Sequence, residues 1–136
     1  AAFGLAQLPN LAEALRKRAA VHQYYCEAFA PIEGLNCVPL LADDTPNYAY
    51  FPILVADEFG ISCQALYEAL KAKNIYARRY FYPLTPVLLN MDIDASRYPI
   101  AADAAERVLC LPMSASLTRA EQDLVINAVI EARGKV

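Results

Sequence analysis

Glycine is scarce in this chain. Four residues among 136 leave no glycine-rich loop that could cradle a phosphate. Histidine is scarcer still, with His22 alone. The four cysteines, Cys26, Cys37, Cys63 and Cys110, make no CxxC pair and share no zinc spacing with that histidine, which argues against a zinc centre. Each lies among apolar residues, where a reduced thiol acts as a small hydrophobe. A core of this size needs no disulfide framework, and reduced thiols fit a cytoplasmic protein. Long hydrophobic runs are missing as well. The longest, 49–56, contains Pro52 and is far too short to span a bilayer. No secretory signal opens the chain. Basic charge is outweighed, with 12 Lys and Arg against 15 Asp and Glu. A net charge of −3, a pI near 5.1 and the lack of a basic stripe argue against a nucleic-acid partner. The chain also has no initiator methionine and begins inside a helix-like pattern, so the expectation is a segment of something longer.

What is present is enough for one domain with a real core: 57% of the residues are apolar and 20% charged. Leu5, Leu8, Ala12, Leu15, Ala19, His22, Cys26 and Phe29 recur at three- and four-residue steps and predict a helix over 1–30, with a bend or fresh start near Pro9. On that stripe His22 reads as a core or interface histidine rather than a catalytic one. Residues 35–40 suit a short edge segment limited by Pro39, and 48–55 a buried strand with one edge locally unpaired or bulged at Pro52. Asp43 and Asp44 sit in a turn cluster and read as solvated loop. Ser62 is a plausible N-cap for a helix through Lys73 that buries Leu66, Ala69 and Leu70. Residues 85–98, with Asp92 and Asp94, look irregular. Pro99 suits the first turn of a short helix over 100–106, and 108–111 a brief strand. Thr118 and Glu121 form a capping box for a last helix burying Leu124, Val125, Ala128 and Val129. Ser114 and Ser116 have no partnered histidine and read as loop. The order predicts an α+β layer: a small, mainly antiparallel sheet of three or four strands with helices packed on one side, preceded by a long N-terminal helix.

One stretch stands apart. Residues 74–84, Asn-Ile-Tyr-Ala-Arg-Arg-Tyr-Phe-Tyr-Pro-Leu, have the β-branched and aromatic content of a strand. Alternation then puts Ile75, Ala77, Arg79 and Phe81 on one face, and Tyr76, Arg78, Tyr80 and Tyr82 on the other. A rim so equipped can grip an anion with arginine and stack or hydrogen-bond a polar ring with tyrosine. Snorkelling arginines, or arginines paired to a nearby carboxylate, are the structural alternative.

The same stretch, followed by Arg107-Val108-Leu109-Cys110-Leu111-Pro112-Met113 and Leu117-Thr118, resembles the C-terminal part of the DegT/DnrJ/EryC1/StrS sugar aminotransferases. The opening Ala1-Ala2-Phe3-Gly4-Leu5-Ala6-Gln7-Leu8 is similar to that family's interdomain helix. The family uses pyridoxal phosphate to place an amino group on a nucleotide-linked keto-sugar. The resemblance implies that residues 1–30 are the interdomain helix and 31–136 the body of the small domain. It implies a nucleotide-sugar substrate, a homodimer, and pyridoxal phosphate held by a large N-terminal domain of the parent. This segment alone would then bind no cofactor and have no activity. Its lysines agree with that expectation, because Lys17, Lys71, Lys73 and Lys135 all fall where none reads as desolvated. Substrate-binding residues are expected at Arg79, Tyr80 and Tyr82, with no catalytic or metal-binding residue. Many family members have histidine where Tyr80 and Thr85 stand, which implies a subgroup with its own sugar. The competing expectation is a stand-alone α+β module for metabolite binding or dimerisation.

Overall fold

Proline has no amide hydrogen to give a helix interior, so Pro9 decides how the chain begins. In the computed structural model, which describes residues 2–41, 43–88 and 95–134, helix α1 (Ala2–Gln7) gives way to a 3-10 turn at Leu8–Asn10. Helix α2 (Leu11–Phe29) starts afresh behind it. The buried stripe differs from the expected one. Leu5 and Leu8 are exposed, and the enclosed residues are Val21, Tyr25 and Phe29, with His22 and Cys26 only half-buried beside them. Only the second half of α2 meets the sheet, and its position there is set by Phe51. The Tyr25 and Phe29 rings lie 4.9 and 6.3 Å from that ring, centroid to centroid.

Three antiparallel strands, β1 (Leu35–Cys37), β2 (Phe51–Val55) and β3 (Val108–Leu111), lie in the order β1-β2-β3. Leu35 stands opposite Val55, and Phe51 opposite Leu111. Gly34 leads into β1 with φ 77°, and a Cβ there would sit 2.0 Å from the Phe59 amide nitrogen, so the turn needs glycine. Strand β2 begins later than expected because Tyr48 takes φ 50°, a left-handed backbone that no strand continues through. Pro52 is tolerated in this central strand for a specific reason. Opposite it, Cys110 turns both its N–H and its C=O away to Arg78, and on the other side, just past the end of β1, Val38 asks only for the Pro52 carbonyl, donating its N–H to it at 3.5 Å.

Phe51, Ile53 and Val55 share one face with Leu109 and Leu111. There they pack with α2, α3 (Cys63–Ala72) and α6 (Arg119–Arg133) in a single core. The Ser62 hydroxyl accepts from the Ala65 N–H at 3.1 Å and caps α3. Thr118 and Glu121 close a reciprocal capping box on α6. Leu124 is exposed on α6, and Ile126 and Ala132 are buried instead, because the helix is rotated to seat Val125 and Val129. The sheet is not covered on one side only. Helix α5 (Pro99–Arg107), with Pro99 in its first turn, approaches the second face, where Ala101, Ala104 and Ala105 share a groove with Leu54 and Val108.

Residues 74–84 are not a strand. They contribute a single bridge beside β3: the Arg78 N–H donates to the Cys110 carbonyl at 2.9 Å, and the Cys110 N–H donates to the Arg78 carbonyl at 2.8 Å. A longer ladder has nothing to pair with. On that edge Val108 already gives its N–H to Ala104 at the end of α5, and its carbonyl accepts from the Cys63 thiol at 3.4 Å. Beyond Arg79 the chain turns, with cis peptide bonds at Tyr80–Phe81 and Tyr82–Pro83. It then enters the one-turn helix α4 (Thr85–Leu88). A 3-10 turn occupies Ala95–Arg97, while Asp92 and Asp94 lie outside the described residues.

Candidate functional site

The bridge at Arg78 preserves strand alternation over a few residues, enough to send adjacent arginines in opposite directions. Ala77 is buried and Tyr76 exposed; the Arg79 side chain is 9% accessible, whereas Arg78 is exposed. Arg79 runs in towards the end of α5. One of its terminal nitrogens donates to Gln64 Oε1 at 2.9 Å, and the other to the carbonyls of Ala105 and Glu106 at 3.1 and 3.2 Å. The Glu106 carboxylate lies 3.5 Å away. A cation there satisfies carbonyls that the last turn of a helix leaves open and offsets their partial negative charge. The Tyr82 ring covers the guanidinium, its centroid 3.6 Å from Cζ. Arg79 and Tyr82, expected on opposite faces of a strand, meet because the chain turns between them.

Arg78 faces the other way, into a concavity of about 230 Å³ lined by Tyr50, Tyr76, Tyr80, Pro112 and Met113 with Cys110 among them. Its Nη1 donates to Tyr80 Oη at 2.7 Å. Tyr50 meets Tyr80 edge to face with centroids 5.2 Å apart. A phenol oxygen that accepts from a guanidinium keeps its own hydrogen available to donate. The groove therefore presents a cation and hydroxyl donors, a combination suited to an anionic or richly oxygenated ligand.

Of the three expected site residues, Tyr80 lines this groove, while Arg79 and Tyr82 stack together along a neighbouring edge. Tyr50 escaped the sequence reading altogether. Its parity was legible, since Phe51, Ile53 and Val55 point inward and residue 50 must then point outward. What the sequence could not supply was the proximity of Tyr50 to Tyr80.

Other reactive side chains are quiet. Burial pushes all four thiols up, Cys37 to about 12, so each stays protonated near neutrality and is a poor nucleophile. His22 sits between the edges of Tyr48 and Phe51, its Nδ1 3.6 Å from Cys26 Sγ, away from the groove. Asp44 accepts from the Leu41 N–H within its own loop. Ser114 and Ser116 bond each other. Among the described residues no cluster could hold a metal ion.

A cofactor bound as a Schiff base needs a desolvated lysine, and the described lysines do not fit that requirement. Lys17 pairs with Glu13 at 3.1 Å, Lys73 pairs with Glu131, and Lys71 is an exposed residue with its ammonium 6.0 Å from the Tyr67 ring centroid. Lys135 lies outside the described residues.

A model of the DegT/DnrJ/EryC1/StrS aminotransferase family matches residues 1–130. The dTDP-4-amino-4,6-dideoxy-D-glucose transaminase of Shigella dysenteriae is 36% identical over 136 residues, covering 98% of this chain and 37% of that protein. The transaminase of the same name from Escherichia coli is 35% identical over 142 residues, covering 100% of this chain and again 37% of its own length. Among solved structures, the aminotransferase TlmJ from Streptoalloteichus hindustanus superposes with a TM-score of 0.84 at 26% identity, over 96% of this chain and 35% of that one. The chain thus spans little more than a third of the length of these relatives.

Proposed function

The chain belongs to the DegT/DnrJ/EryC1/StrS aminotransferase family, and from that premise we propose that it is the C-terminal domain of a pyridoxal-phosphate-dependent aminotransferase acting on a nucleotide-linked keto-sugar. The observation that carries this reading is one of extent. The family match takes in nearly the whole chain, yet the chain accounts for 37% of the Shigella and Escherichia transaminases. The described lysines are in keeping with it, since none of them sits where a Schiff base would form; in this reading the cofactor's lysine lies in the remainder of the parent.

In this reading residues 1–30 join two domains, 31–136 form the body of the smaller one, and the parent works as a cytoplasmic homodimer. The rim at Arg79, Tyr80 and Tyr82 is the substrate side of this domain. Tyr80 offers a ring and a hydroxyl to the sugar nucleotide, and Tyr82, held on Arg79, shapes the neighbouring edge.

The complete polypeptide, supplied with dTDP-4-amino-4,6-dideoxy-D-glucose and a 2-oxo acid as amino acceptor, is expected to release the keto-sugar. Residues 1–136 alone are expected to show no turnover and no absorbance band from lysine-bound cofactor. A cofactor band in the isolated chain that one Lys→Ala change removes would overturn the assignment. So would a complete polypeptide that transaminates no nucleotide sugar.

A further inference from the structure

Two neighbouring arginines compete for one role, and the structure separates them. Arg79 has a desolvated guanidinium whose terminal nitrogens already serve Gln64, Ala105 and Glu106 and whose plane is covered by Tyr82. Reaching a ligand would mean abandoning the end of α5. Arg78 has none of these ties. It is exposed, no carboxylate lies within ion-pair distance of it among the described residues, and its side-chain bond to the Tyr80 hydroxyl fixes its direction over the groove.

We propose that Arg78 is the cation that binds the diphosphate of the sugar nucleotide, with Tyr80 as the residue that aims it. This rests on the aminotransferase reading above. Three observations select the diphosphate over the sugar ring. The groove is lined by a guanidinium and the phenols of Tyr50, Tyr76 and Tyr80, with no acidic residue among the described residues of its lining, so it favours an anionic guest. A guanidinium held at one nitrogen keeps the rest of its fork for paired phosphate oxygens. The volume, about 230 Å³, falls below the ~300–1,000 Å³ of a site that engulfs a drug-sized ligand, so it suits the phosphate portion with the remainder of the ligand outside.

The test uses the complete polypeptide and two probes, the nucleotide sugar as substrate and dTDP as a competing diphosphate. Arg78→Ala should raise KM for the nucleotide sugar and weaken dTDP inhibition by the same factor, roughly ten- to a hundredfold. Its melting temperature should match wild type, since Arg78 supports no other element. Arg78→Lys, which keeps the charge and loses the fork, should recover part of the dTDP affinity. KM and dTDP affinity within twofold of wild type in Arg78→Ala would overturn the proposal. If the wild-type polypeptide transaminates no nucleotide sugar, the functional reading fails by itself, and calorimetric titration with dTDP still judges Arg78. Tight binding by wild type that Arg78→Ala weakens at least tenfold supports the assignment. No binding by wild type, or equal binding by both, overturns it.

Discussion

The two faces of the sheet use the same residue types to opposite ends. On the inner face Phe51, with Tyr25 and Phe29 against it, has lost essentially all contact with water. On the outer face Tyr50, one residue earlier in the chain, remains more than half accessible and touches Tyr80 by its edge. The alternation of β2, carried one residue ahead of its first position, separates the two. The inner cluster gains from shape and dispersion, and a polar atom there must find a partner inside the protein, as the Tyr25 hydroxyl does at the Pro112 carbonyl. The outer cluster keeps hydroxyls and a guanidinium facing open volume. An aromatic-rich segment is therefore closed core or open groove according to which side of the sheet it serves, and composition does not distinguish them.

The sharpest way to break that comparison is to truncate one ring on each face. Phe51→Ala removes a fully enclosed ring from among Tyr25, Phe29 and His22 and should cost about 3–5 kcal/mol of unfolding free energy in a urea titration. Tyr50→Ala, on the open side, should cost under about 1 kcal/mol. Equal losses would mean that the outer face carries core weight in solution.

A smaller effect separates the arginines. Arg79→Ala leaves the Ala105 and Glu106 carbonyls without their charged donor and uncovers Tyr82, and should destabilise the chain by about 1.5–3 kcal/mol, the range for hydrogen bonds to charged groups. Arg78→Ala should stay within about 0.5 kcal/mol of wild type by the same denaturation measurement. The reverse order would exchange the scaffold and ligand roles assigned to them.

Local signals were readable from the sequence wherever the cause was local. Ser62 and Thr118 cap the helices they were expected to cap, since a hydroxyl reaching a nearby N–H needs only its own turn. Pro9 likewise ended α1 by what it lacks. The failures had causes far away in the chain. The strand expected at 74–84 shrank to one bridge because Ala104 and Cys63 had already taken the edge of β3. The stripe of α2 rotated from His22 and Cys26 towards Val21 and Tyr25 because Phe51 lies where it does. At the rim, residue identities raised the expectation of an anion-holding region, and alternation placed Arg78 and Arg79 on opposite sides. Which side closes over α5 and which opens beside Tyr50 depended on partners at least fifteen residues away.

His22 offers the finest test of the inner face, and one that leaves packing nearly intact. Its ring stands edge-on to Tyr48 and Phe51, and burial lowers its pKa below the ordinary value of 6.5. Below pH 6.5 the unfolded chain takes up a proton that the folded chain resists, so the neutral imidazole stabilises the fold fully above that value and the contribution fades as pH falls through the lower, folded pKa. Carboxylates elsewhere also titrate on the acid side, so the useful quantity is a difference. Wild type and His22→Asn should be unfolded in urea at a series of pH values from about 7.5 to 5, a window centred on histidine titration. Wild type should lose more stability across it than the variant, and the extra loss should begin near pH 6.5. Parallel curves would place His22 in contact with water, and the inner face would then end at Phe51 rather than extend to the imidazole.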